Sequence, residues 1–91
     1  MEMTSHRERA FRQEVGRRLR TRRESLGLTQ EEIAWEAGVA QGSISHYEQG
    51  KSEIPLGVLI EICRRFGVSP LEIVPSLGTA APEPGFTARA S

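Results

Sequence analysis

Ninety-one residues with a formal net charge of zero describe one small domain with some trailing chain, and no second domain able to hold a ligand pocket, small-molecule effector or cofactor is expected. The single cysteine, Cys63, excludes an internal disulfide and a cysteine-based zinc site, and His6 and His46 are far apart in the chain without companion ligands, so no metal is expected. No apolar run approaches the roughly 18 residues of a membrane span, and the polar start MEMTSHRERAFRQ lacks a signal-type apolar segment; a reducing cytoplasm is the expected compartment.

Helical periodicity without a strand pattern predicts an all-α chain of five helices. Helix 1 is read over about 7–26, where Phe11, Val15, Leu19 and Leu26 recur at helical spacing. Residues 1–10 form an N-terminal extension that either lengthens this helix or acts as a mobile arm. Residues 1–27 hold eight arginines against four glutamates, and five of those arginines lie in RRLRTRR, residues 17–23. Such a polarised domain can bind phosphate on one face and stay soluble through the other.

Thr29 followed by Glu32 is a capping box that starts helix 2 at Gln30. Helix 2 ends at Gly38, where positive φ costs little. Helix 3 covers about 41–49, with Ala40 a weak N-cap. Ala34 is small enough for helix 3 to cross close to helix 2, and Ile44 drops into the angle between them, helped by Ile33, Ala37, Val39 and Tyr47. The outer face of helix 3 then reads Gln41, Gly42, Ser45, His46 and Gln49. Short polar groups on a projecting helix suit a DNA major groove. Helix 4 runs from about residue 55 or 56 to Phe66, with Leu56, Leu59, Ile60, Cys63 and Phe66 as its buried face. Ser69, Pro70 and Glu72 start a short helix 5 over about 70–74. Residues 11–75 are thus the folded domain, and 76–91, without periodicity, read as a flexible tail.

LGLTQEEIAWEAGV, SISHYEQGK and LIEICRRFGVSPLEIV together resemble the phage repressor/Cro-like (XRE-type) helix-turn-helix family over about residues 12–75. The resemblance implies a compact five-helix, lambda-repressor-like domain. Such a domain binds double-stranded operator DNA as a symmetric homodimer, regulates transcription (here expected to repress) and has no catalytic activity. By position it places Gln30 at the start of helix 2 beside a backbone phosphate, where free N–H groups also point. Gln41 then faces the groove, where an amide can pair N6 and N7 of adenine. Ser45 and His46 are the next base-reading positions. Ser43, Lys51 and the helix 1 arginines, Arg20 among them, are phosphate candidates. The resemblance also pairs Arg23 with Glu48 as a structural ion pair between helices 1 and 3. Gly42 departs from the pattern, since a base-reading side chain is common there. Either the backbone approaches the DNA closely, or the position reads nothing.

Dimerisation is expected through Leu71, Val74, Pro75 and Leu77 near helix 5. Cys63 reads as a buried core thiol. Trp35 points to the outer side of helix 2. It either folds over arginine side chains at the core edge or marks a contact with a protein partner. No Ser-His-acid or Cys-His pairing, phosphate loop or carboxylate pair in a cleft suggests an enzyme. The rival reading is an antitoxin-type or accessory interaction protein that binds a partner as well as its own promoter, through Trp35, helix 5 or the tail.

Overall fold

A computed structural model of the chain describes residues 2–75. It contains α1 (Glu2–Ser25), α2 (Gln30–Ala37), α3 (Gln41–Glu48), α4 (Leu56–Phe66) and α5 (Pro70–Ile73), with no strand among the described residues. Helix α1 begins at Glu2, well before the expected start near residue 7. Residues 76–91, the proposed tail, lie outside the described residues.

The helix boundaries follow local chemistry. At α2 the Thr29 side chain accepts from the Glu32 backbone N–H at 3.0 Å, and the Glu32 carboxylate accepts from the Thr29 N–H at 2.8 Å. Two N-terminal donors of the helix region are satisfied reciprocally. Gly38 ends α2 in the left-handed region at φ 72°. The chain turns there and restarts as α3 after Ala40, which supplies no side-chain cap.

Helices α2 and α3 pack on each other, α1 lies across α3, α4 packs on α2, and α5 touches both α1 and α4. Leu19, Ile33, Ile44, Ile62 and Ile73 are the largest fully buried side chains, each stabilising by about 1.5–3 kcal/mol relative to exposure. Ala34 and Tyr47 join them, and Ala37 and Val39 pack against the cluster.

Two expected core stripes need correction. In α1, Val15 and Leu19 are buried, but Phe11 and Leu26 are exposed. The core ends below Phe11, and Leu28 rather than Leu26 packs against its other end. In α4 the buried set is Leu59, Ile62, Cys63 and Phe66, while Leu56 is 69% exposed and Ile60 lies at the margin. The two possible apolar stripes of α4 overlap, and the helix rolls so that Ile62 enters the core. Phe11 and Leu56 stand instead at an apolar groove lined also by Val15, Ile54, Leu59 and Val74.

The α1–α3 crossing depends on backbone proximity. A Cβ added at Gly16 would lie 2.3 Å from the Tyr47 carbonyl oxygen and 2.6 Å from that of Glu48. One turn earlier, the Arg12 Nε donates to the Gly50 carbonyl at 3.2 Å. Gly16 is therefore fixed by close approach, although a mid-helix glycine costs about 1 kcal/mol in propensity.

Gly16→Ala should lower stability by about 1–2 kcal/mol net, because overpacking against backbone typically costs ~1–3 kcal/mol and outweighs the propensity gain. Gly57→Ala in α4, where an added Cβ meets nothing within 4 Å, should raise it by up to about 1 kcal/mol. Thermal melts of the two variants should move in opposite directions.

Candidate nucleic-acid interface

The α2–α3 pair presents one polar helix face. Gln41, Gly42, His46 and Gln49 are exposed on α3 and its C-terminal cap, and Ser43 and Ser45 are half-buried. Gln49 Nε2 donates to Ser45 Oγ at 2.7 Å. This i, i+4 contact joins Ser45 to a second amide that the site assignment from sequence left out. The backbone N–H of Lys51 donates to the His46 carbonyl at 2.9 Å, closing the loop that carries the exposed Lys51 side chain past the end of α3.

Behind this face runs a hydrogen-bonded chain. Arg23 holds Glu48 with two donors, Nε to Oε2 at 2.6 Å and Nη2 to Oε1 at 3.1 Å. The Arg23 and Glu48 side chains are 11% and 3% exposed. Hydrogen bonding to Glu48 raises the Arg23 pKa further above its ordinary value, so the guanidinium stays charged. Arg23 Nη1 also donates to the Leu28 carbonyl at 2.7 Å, tying down the α1–α2 link. Glu48 Oε1 accepts in addition from Gln30 Nε2 at 2.9 Å. Gln30 Oε1 in turn accepts from Gln41 Nε2. The structure thus brings Arg23, Glu48, Gln30 and Gln41 into one connected set.

The arginine run of α1, residues 17–23, is largely neutralised within the chain. Arg17 and Arg18 share Glu14 at 2.7 and 2.8 Å. Arg20 meets Glu24 at 3.0 Å, and Arg22 meets Glu72 of α5. The hydrogen bond from Arg17 holds the Glu14 carboxyl below its ordinary pKa. The simple basic face anticipated from composition is therefore a set of exposed ion pairs. Such pairs are worth only about 0–1 kcal/mol each, so a phosphate can compete for Arg20.

At the opposite end, Leu71 is 47% exposed, Pro75 is half-buried and Val74 is packed into the core of its own chain. Val74 is thus not open to a partner, and Leu77 lies outside the described residues. Trp35 is 85% exposed, so it does not fold over the core edge. No His/Cys/Asp/Glu group suited to a metal occurs among the described residues, and no described helix is long and apolar enough to cross a membrane.

An all-helical domain whose second helix of a tight pair projects a polar face has the architecture of a helix-turn-helix DNA reader. The chain matches the helix-turn-helix domain family over residues 14–74 and belongs to it, with XRE-like character. It is 35% identical over 60 residues to antitoxin PezA of Streptococcus pneumoniae serotype 4, a match covering 66% of this chain and 38% of that protein. The chain thus spans about two fifths of the length of that curated relative. Among solved structures it is similar to the restriction-modification controller protein C.AhdI from Aeromonas hydrophila, with 26% identity, TM-score 0.67 and coverage of 70% of this chain and 97% of that one. It is also similar to the clp gene regulator ClgR from Corynebacterium glutamicum, with 28% identity, TM-score 0.66 and coverage of 88% of each chain. Family and fold are those of DNA-binding transcription regulators.

Glu48→Ala should lower stability by about 3 kcal/mol, since it leaves the Arg23 guanidinium with its main partner gone in a largely buried site. Cys63 reports the loss. It is buried, and burial raises its thiol pKa, so a thiol reagent reacts only through opening of the fold. The logarithm of its labelling rate should rise in Glu48→Ala in proportion to the fall in stability measured by denaturant titration, about tenfold for each 1.4 kcal/mol.

Proposed function

We propose that this protein is a transcriptional repressor that binds a two-fold-symmetric operator as a homodimer, with α3 of each copy in the major groove. The observation that carries the reading is the chain Arg23–Glu48–Gln30–Gln41, which anchors a surface amide to a buried ion pair. Gln41, Ser45 and His46 read base edges. Ser43, Lys51 and Arg20 contact phosphates, and Gly42 lets the backbone come close. Gln30 contacts phosphate through the backbone N–H groups at the start of α2, because its side-chain amide is held by Glu48 and Gln41. Leu71, Pro75 and Leu77 form the dimer contact. The exposed Leu71 supports this assignment, with the groove at Phe11 and Leu56 as further apolar surface. Two recognition helices would then sit about 34 Å apart, so the operator consists of inverted half-sites one turn apart. The proposal contains no catalytic step and no cofactor or small-molecule effector, and places the protein in the cytoplasm with its DNA.

A second reading, an antitoxin-type protein that also binds a partner, is favoured by the identity to PezA and by the exposed Trp35.

Selection of bound sequences from random duplex DNA should return inverted repeats. Gln41→Ala should then relax preference at one adenine per half-site by about 1–3 kcal/mol. Recovery of a single asymmetric half-site bound by one protomer would reject the dimer. Lys51→Gln should lower the slope of log K against log salt by about two for a dimer, one for each lost phosphate contact.

Gly42→Ala separates the two accounts of that position. An added Cβ meets nothing within 4 Å in the free protein, so stability should rise by about 0.5–1 kcal/mol. Operator affinity should fall at least tenfold where backbone approaches DNA. Unchanged affinity would mean that Gly42 reads nothing.

A further inference from the structure

We propose that the outward face of α2 is a docking surface for a protein partner that presents an arginine- or lysine-bearing segment. The inference goes beyond DNA binding and does not depend on it. The inward side of α2 is Gln30, Ile33, Ala34 and Ala37; the outward side is Glu31, Glu32, Trp35 and Glu36, all exposed. The helix QEEIAWEA has no basic residue of its own. Glu31 and Glu32 therefore stand four and three residues before one large aromatic ring, on its side of the helix, and Glu36, the next residue in the chain, lines the same groove.

That combination selects a cation. A ring face attracts guanidinium and ammonium groups, and adjacent carboxylates add to the attraction. The same carboxylates repel phosphate, so the face is unsuited to DNA. The protein already shows the preference once. Arg65 of α4 lines the same groove, with Thr29, Glu31, Glu32, Trp35 and Glu36, and its Nε lies 3.7 Å from Glu36. Glu32 is engaged in the α2 capping box, whereas Glu31 has no ion pair among the described residues. Glu31 and the uncovered Trp35 are thus the groups left to receive a second cationic side chain. Exposed tryptophan is an energetically dominant residue type in protein interfaces.

Trp35 is the single tryptophan of the chain, so its emission reports on this face alone. The full chain is titrated with a short oligoarginine peptide and, separately, with an oligoglutamate peptide. The expected result is a saturable change in Trp35 emission with oligoarginine only, reversed by salt. Affinity should be about tenfold weaker in the double variant Glu31→Gln, Glu36→Gln, whose melting temperature is checked in parallel. Calorimetry on Trp35→Ala should show a comparable loss, while gel-shift of the selected operator stays unchanged. Three results would overturn the proposal: no saturable signal with oligoarginine, equal affinity in the double variant, or an emission change driven by protein concentration alone. The last would make the face an interface between copies of this chain.

Discussion

A carboxylate removed from water must be held by donors, and Glu48 is held by three. Removing an ion of this size from solvent costs several kcal/mol unless its oxygens are satisfied. Arg23 answers with a two-pronged fork and Gln30 with an amide. These donors come from α1 and α2, while the carboxylate belongs to α3. One charge therefore fixes the relative placement of three helices. The fork reaches only because α1 approaches the end of α3 at backbone distance, which Gly16 permits. The ion pair and the glycine are two parts of the same crossing.

The charge also fixes polarity at the surface. A carboxylate can only accept, so Gln30 must turn its NH2 group toward Glu48 and its carbonyl oxygen outward. That oxygen in turn requires a donor, and Gln41 supplies one N–H. Gln41 is left with its second N–H and its oxygen facing solvent. One donor and one acceptor are the complement that adenine presents at N6 and N7. The buried pair thus orients a surface amide through a chain of hydrogen bonds, with no need for a rigid side chain at position 41.

Local signals in the sequence carried the tight helix pair: the capping box at Thr29, the glycine at 38, and the apolar set Ile33, Ala34 and Ile44. The pairing of Arg23 with Glu48 was reached only through family resemblance, because nothing local links residues so far apart in the chain. The roll of α4 was not legible, since Leu56 and Ile60 fit the helical period as well as Ile62 does. Only the direction from which α2 and α5 cover the helix decides between them. Gly16 gave no signal at all. A glycine inside a helix reads as a weak point until the crossing partner is known. The glutamates at i−3, i−4 and i+4 from arginines of the 17–23 run are legible as partners, whereas the arginine excess of residues 1–27 taken by itself reads as a basic face.

Charge placement bears on how such a small protein finds its site. The arginines of the 17–23 run are matched by Glu14, Glu24, Glu72 and Glu48, and the outward side of α2 is acidic. Lys51 is a cation on the α3 side with no ion pair among the described residues. Counterion release is the main source of non-specific DNA affinity, and the arginines of 17–23 contribute to it only by giving up a carboxylate. On the proposed reading, amides held in register and an operator long enough to engage two copies supply what those paired arginines do not. A single face of a few polar residues reads too little sequence to overcome weak electrostatics. On the proposed dimer the reading is doubled without adding positive charge. Neutralising part of the arginine run would then favour selectivity, because competing sites hold a protein with fewer free cations less tightly.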